Sequence, residues 1–138
     1  MVTAVDTNVL LDVFLDDPQY RKASFSALTQ AFSSGDVVVC DVVWSETGAA
    51  FDDADLFLRA MDTLGVKYSP MTKGSATKAA EMWRLAKRRK SMPPRRVVAD
   101  FLVGAHAVEC ADCLLTRDNG FYRDYFSDLK VVNPLQAA

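Results

Sequence analysis

Four acidic residues occupy positions where α/β proteins build ligand sites. Asp6 directly follows the apolar run Val2–Val5, and Asp118 follows a later apolar run. Asp100 lies near the start of a strongly apolar predicted helix, and Glu46 lies in the helix after the second predicted strand. In open α/β sheets, ligands gather at the carboxyl ends of strands and the amino ends of the following helices. We therefore expect the four acids at one edge of the sheet.

Such a group of carboxylates has a specific chemical use. Helix amino ends stabilise a negative charge by only about 0.3–1 kcal/mol each, which does not offset repulsion among several clustered acids. Oxygen ligands without nearby histidine or cysteine suit Mg²⁺ or Mn²⁺. Because Mg²⁺ keeps positions free for phosphate oxygens, the pattern predicts a metal site for phosphodiester cleavage. Taken singly, each of these acids could also be a helix cap or a solvated charge; the remaining acids, Asp12 among them, are interpreted in that way.

The elements that must position these acids alternate between strands and helices. Apolar runs predict strands at 2–5, 36–40, 66–68, 113–116 and 130–132. A first helix is predicted at about 9–14, with Thr7 or Asn8 as its cap, and another helix begins after Asp41, which is expected to cap it. Further helices are predicted at 20–32, 53–64, 72–90, 98–110 and 121–126. The alternation predicts an α/β fold of three layers, α/β/α, with a central, mostly parallel sheet. Without a repeat or linker, residues 1–138 are expected to form a single domain.

Composition constrains function only weakly. Half of the 138 residues are hydrophobic, which is enough to form a core without disulfides or structural metals. The net charge of −2 gives no indication of a nucleic-acid partner. Cys110 and Cys113 have CxxC spacing but no second pair follows, so they and Cys40 are expected to be buried thiols. The amino-terminal residues do not resemble a signal peptide and no run reaches transmembrane length. These features predict a cytoplasmic protein without membrane association.

A basic segment directly precedes the helix that carries Asp100. Six of the 16 lysines and arginines fall between Lys87 and Arg96. Such a patch can neutralise phosphates and steer RNA toward an acidic site, although a charged helix end that is merely solvated has the same composition. Arg117, beside Asp118, could contact phosphate or pair with an acid. The candidate RNA-binding residues are Lys87, Arg88, Arg89, Arg95, Arg96 and Arg117.

The order of these motifs resembles the PIN-domain family. The resemblance covers essentially the whole chain and rests on residues 5–11 (VDTNVLL), 45–46 (SE), 98–107 (VADFLVGAHA) and 114–122 (LLTRDNGFY). It implies that Asp6, Glu46, Asp100 and Asp118 coordinate the metal, directly or through water. It further implies that Thr116 orients Asp118 or a water on the metal, and that Thr7 and Asn8 brace the first loop.

The same resemblance implies a function. The compact length is similar to that of VapC-type toxins, which implies a metal-dependent endoribonuclease acting as the toxin of a type II toxin–antitoxin pair. Its partners would be RNA, a cognate antitoxin and a second copy of the chain. An alternative is a PIN-like module that binds RNA or protein without cleavage. A phosphohydrolase of the haloacid-dehalogenase type is disfavoured, because Asn8 stands where a second aspartate is usual.

Overall fold

The computed structural model of the protein describes residues 1–89 and 98–136. The strands are β1 (Val2–Val5), β2 (Asp36–Val39), β3 (Lys67–Tyr68), β4 (Cys113–Leu115) and β5 (Val131–Val132). The helices are α1 (Thr7–Phe14), α2 (Arg21–Ser34), α3 (Asp41–Gly48), α4 (Ala54–Leu64), α5 (Lys73–Arg88), α6 (Val98–Cys110) and α7 (Asn119–Tyr125). The alternation predicted from the sequence is confirmed, with ends that differ by one or two residues, as is usual for element boundaries.

The five strands form one sheet in the order β3-β2-β1-β4-β5, and each neighbouring pair is parallel. The chain first moves outward from β1 to β3 and then crosses back to β4 and β5. Since crossover connections between parallel strands are right-handed, this reversal places the helices on both faces of the sheet. The predicted three-layer α/β/α architecture is confirmed, and β1 and β4 are adjacent at the point of reversal. Ligands of open sheets bind at such a point.

The beginnings of two helices differ from the prediction. Asp6, rather than Thr7 or Asn8, is the N-cap of α1, and its carboxylate accepts a hydrogen bond from the backbone N–H of Thr7. Cys40 precedes α3 as its N-cap, so the expectation that Asp41 caps this helix is wrong. The Asp41 carboxylate instead accepts a hydrogen bond from the backbone N–H of Met71 at 2.7 Å, which ties the segment after β3 to the start of α3.

Helix α6 runs through the centre of one face and contacts β1, β4, α3 and α5. Gly104 permits this packing, because a Cβ at this position would overlap the ring of Phe126 just beyond α7. The close approach sets α6, with Asp100 in its first turn, against the segment that follows Asp118. The buried core surrounds the sheet and includes Cys40 and Cys113, both free thiols as predicted. Cys110, the last residue of α6, is free but only partly buried, so its prediction as a buried thiol is wrong. Among the described residues, no helix is long and apolar enough to cross a bilayer.

Candidate active site

Asp6 lies at the carboxyl end of the central strand β1 and is held by hydrogen bonds on both carboxylate oxygens. Its Oδ1 accepts a hydrogen bond from the Thr7 backbone N–H at 2.8 Å. Its Oδ2 accepts hydrogen bonds from the Thr116 hydroxyl at 2.8 Å and the Tyr122 hydroxyl at 3.2 Å, and the Asn8 amide lies 3.4 Å away. The side chain is therefore fixed by donors from the start of α1, from the residue after β4 and from α7.

Burial makes the negative charge on Asp6 unfavourable. The residue is only 8% exposed, and loss of hydration raises its pKa from 3.8 to about 6, with the nearby charge of Asp100 acting in the same direction. The hydrogen bonds from Thr116, Thr7 and Tyr122 lower the pKa and offset part of this cost. The site thus holds a carboxylate whose charge is only partly compensated by the protein, as expected of a cation ligand.

Tyr122 is a member of this site that the sequence analysis missed. Its side chain is fully buried, and burial followed by the charges of Asp6, Asp100 and Asp118 raises its pKa well above 10. The phenol therefore remains protonated and donates to Asp6. A usable signal existed in the sequence: Tyr122 lies four residues after Asp118, and helical side chains point back toward the amino end of their helix.

Thr116 connects Asp6 to the start of α7. Its hydroxyl donates to Asp6 and accepts hydrogen bonds from the backbone N–H of Asp118 at 3.0 Å and from the amide of Asn8 at 3.2 Å. One donor and two acceptor positions exhaust the capacity of a hydroxyl group. Asn8 in turn accepts a hydrogen bond from the backbone N–H of Arg117. The loop between β4 and α7 is therefore joined to the loop after β1 by side-chain bonds.

Glu46 lies at the exposed side of the same site. Its Oε1 accepts a hydrogen bond from the Thr7 hydroxyl at 2.7 Å, while the backbone N–H of Thr7 donates to Asp6. Thr7 therefore holds one oxygen of each acid. Asp100, in the first turn of α6, acts electrostatically on both Asp6 and Tyr122. The structure thus brings all four predicted acids to the edge formed by the ends of β1, β4 and the adjoining helices.

The donor chemistry of this edge fits a hard divalent cation. The acidic side chains at this edge are carboxylates, whose oxygens such cations prefer as ligands. The protein compensates the negative charge of the buried Asp6 only in part. Within residues 1–89 and 98–136, no three acid, histidine or cysteine side chains stand close enough to form a ready-made ligand set. Mg²⁺ characteristically takes only one or two protein carboxylates and completes its shell with water and substrate oxygens. Asp6 and its acidic neighbours meet that requirement.

The predicted RNA-binding residues fall in three places. Lys87, Arg88 and Arg89 lie exposed at the end of α5, with the Lys87 ammonium 4.4 Å from the ring centroid of Trp83. Arg95 and Arg96 lie outside the described residues. Arg117 is paired with Asp12, which is buried and 3% exposed. The interpretation of Asp12 as a cap or surface charge is therefore wrong, because this acid lies beneath the loop that carries Asp118.

Comparison with known proteins places the chain in a family. The PIN domain model matches residues 3–126, which is most of the chain. The chain belongs to the PIN-domain family. The resemblance seen in the sequence is therefore confirmed. No curated protein matches the chain by sequence.

Solved structures share the fold of this PIN domain at low sequence identity. VapBC2 from Rickettsia felis, bound to a DNA fragment from its promoter, matches with a TM-score of 0.73 and 14% identity, over 96% of this chain and 98% of that chain. FitAcB from Neisseria gonorrhoeae matches with a TM-score of 0.72 and 20% identity, over 99% and 100%. VapC20 from Mycobacterium tuberculosis, a sarcin-ricin loop cleaving toxin, matches with a TM-score of 0.54 and 13% identity, over 81% and 86%.

Proposed function

We propose that this PIN domain is a metal-dependent endoribonuclease and the toxin component of a type II toxin–antitoxin pair. The observation that carries the proposal is the buried carboxylate of Asp6, fixed by four donors and exposed to the charge of Asp100. A protein gains nothing in stability from such a group, since burial of an uncompensated charge is costly. Perturbed carboxylates of this kind are characteristic of functional sites.

Each acid has a separate task in the proposed mechanism. Asp6 presents a fixed, buried carboxylate as the principal ligand for Mg²⁺ or Mn²⁺, and Asp100 and Asp118 add negative charge from the starts of α6 and α7. Glu46 adds a carboxylate at the exposed side, where RNA would enter. A divalent cation bound there would neutralise charge on the scissile phosphate and acidify a water for attack on phosphorus. The family pattern implies a 3′-hydroxyl leaving group and a 5′-phosphate product.

The neutral side chains keep the acids in place during the reaction. Thr116 holds Asp6 through its hydroxyl proton and holds the backbone of Asp118 through its lone pairs. Tyr122 remains protonated because burial and, after it, the surrounding acids raise its pKa, so its bond to Asp6 persists over the physiological pH range. Thr7 hydrogen-bonds to both Asp6 and Glu46 and so fixes the position of one relative to the other. These contacts remove conformational freedom from the ligands before the cation binds, which is the preorganisation that electrostatic catalysis requires.

The proposed partners are RNA, an antitoxin and a second copy of the chain, in the cytoplasm. The fold is similar to that of VapBC2, FitAcB and VapC20, of which VapC20 cleaves the sarcin-ricin loop; this similarity supports the toxin assignment. The exposed basic end of α5, Lys87–Arg89, supports RNA binding. Size-exclusion chromatography with light scattering of the purified chain measures the dimer, and the same measurement after co-expression with a candidate antitoxin measures the complex.

Cleavage of total cellular RNA tests the nuclease assignment. Purified wild-type protein is incubated with Mg²⁺, Mn²⁺ or EDTA beside the variants Asp6→Asn and Asp100→Asn. Asp62→Asn, the same change at an exposed position of α4, is the matched control. We expect discrete fragments with either cation from wild type and the control, and none with EDTA or from the two site variants. Sequencing the fragment ends identifies the cleavage site.

Two outcomes would overturn the proposal. Activity retained in both Asp6→Asn and Asp100→Asn would exclude these acids from the chemistry. No cleavage by folded, cation-loaded, antitoxin-free wild type, together with retained RNA affinity in a filter-binding assay, would favour the binding-module alternative.

A further inference from the structure

An ion pair between the buried Asp12 and the partly exposed Arg117 lies beside the candidate active site. The carboxylate of Asp12, on α1, accepts hydrogen bonds from Arg117 Nε at 2.8 Å and Nη2 at 3.0 Å, one on each oxygen. The Ser24 hydroxyl of α2 also donates to this carboxylate, at 2.6 Å. The side chain of Asp12 is 4% exposed, and that of Arg117 is 25% exposed. Bidentate pairing of this kind fixes the plane of the guanidinium as well as its position.

Arg117 makes further contacts through the face of its guanidinium and through its backbone. Its guanidinium lies over the ring of Tyr20, 3.9 Å from the centroid. Its backbone N–H donates to Asn8, and its carbonyl accepts a hydrogen bond from the Asn133 amide at 3.4 Å. Side chain and backbone therefore hold this one residue against α1, the start of α2, and the segment after β5.

Arg117 stands between two residues of the site. Thr116, on one side, donates to Asp6, and the backbone N–H of Asp118, on the other, donates to Thr116. Any rotation of the backbone at Arg117 would separate Asp118 from the Thr116 hydroxyl. The Nε and Nη2 groups of Arg117, which together could bind an RNA phosphate, bind the carboxylate of Asp12 instead.

We propose that Arg117, clamped by the buried Asp12, is a positioning residue that sets the Thr116–Asp118 turn of the active site. Its role in catalysis rests on the nuclease function proposed above, whereas its effect on the turn does not. This assignment replaces phosphate contact as the role of Arg117.

The variant Arg117→Lys separates positioning from phosphate contact. Lysine keeps the charge and binds phosphate as a point charge, but it lacks the planar fork that matches Asp12. We expect kcat on RNA that wild type cleaves to fall at least tenfold, with KM and the salt dependence of binding unchanged. Arg21→Lys, in the exposed pair that Arg21 forms with Asp16 at 2.8 Å, is the matched control and should retain wild-type kcat.

Amide hydrogen exchange supplies a readout that needs no activity. In Arg117→Lys we expect protection of the Arg117 and Asp118 amides, which donate to Asn8 and Thr116, to fall at least tenfold. Amides of β1 should keep wild-type protection, which shows that the domain as a whole remains folded. Should wild type cleave no RNA, the nuclease proposal fails, and the exchange comparison still decides whether Arg117 holds the turn.

The double variant Asp12→Leu/Arg117→Met separates positioning from a purely structural role. Replacing a buried ion pair by apolar residues commonly preserves stability, so this variant should fold even where a single substitution does not. We expect a cooperative urea transition whose midpoint falls only because the Ser24 hydroxyl loses its acceptor, together with lowered protection of the Asp118 amide and a kcat reduced at least tenfold. Wild-type protection and kcat in the double variant would overturn the proposal. If Arg117→Lys instead raises KM and reduces the salt dependence of RNA binding while amide protection is unchanged, Arg117 contacts phosphate.

Discussion

The buried carboxylate of Asp6 should make the metal-free protein less stable as the pH rises. The pKa of Asp6 is raised from 3.8 to about 6 in the folded protein, so between these values the folded state binds more protons than the unfolded chain. The free energy of unfolding then decreases with increasing pH. The penalty is absent below about pH 4 and complete above about pH 6. A salt-bridged aspartate would give the opposite sign.

The size of this effect follows from the change in pKa. A rise from 3.8 to about 6 corresponds to roughly 3 kcal/mol, at about 1.4 kcal/mol per pKa unit. With a urea slope of about 2 kcal/mol/M, this moves the unfolding midpoint by roughly 1.5 M. The Asp6→Asn variant carries no charge to desolvate. Its altered hydrogen bonds to Thr116 and Tyr122 change stability by an amount that does not depend on pH, and this amount cancels when two pH values are compared.

Urea unfolding in EDTA, followed by far-ultraviolet circular dichroism from pH 4.5 to pH 8, measures the effect. Stability of Asp6→Asn relative to wild type should increase by about 2 kcal/mol across this range, because part of the penalty is already present at pH 4.5. Asp62→Asn, at an exposed position, is the control and should follow wild type. A pH-independent difference between Asp6→Asn and wild type would refute the reasoning, since burial would then not govern the charge of Asp6.

Three further predictions concern the same site and its supports. Saturating Mn²⁺ should stabilise wild type at pH 8 by about 3 kcal/mol at a concentration one hundred times Kd, and EDTA should reverse this; calorimetry of Asp6→Asn should show no such gain. Tyr122→Phe removes one donor to Asp6 and should lower kcat severalfold while the fold is retained; an unchanged kcat and Mn²⁺ affinity would remove the phenol from the mechanism. Gly104→Ala places a methyl group against the ring of Phe126 and should cost about 1–3 kcal/mol in urea unfolding; an unaltered midpoint would show that α6 tolerates the added volume.

The layers of this protein and the edge that carries its acids follow from local patterns in the sequence. Apolar runs of four or five residues such as β1, alternating with helical segments, indicate a parallel sheet because each crossover requires a helix. Asp6 and Asp118 were found because an acid that follows a buried strand must lie at the carboxyl edge of the sheet. This reasoning uses only the local order of the chain, so it reaches strand ends and the helix starts that follow them.

The side-chain contacts across that edge, in contrast, depend on how the helices and strands pack together. Asp12 and Arg117 lie 105 residues apart, and nothing in the local pattern around Asp12 distinguishes it from a surface acid. Local spacing places Tyr122 near Asp118, but only the docking of α7 brings it to Asp6, 116 residues away. Asp41 bonds to Met71 instead of capping its own helix. Each of these contacts depends on how two elements dock and on the rotamers that their packing leaves open. Such information is absent from periodicity and local spacing, because side-chain partners are selected by the assembled core.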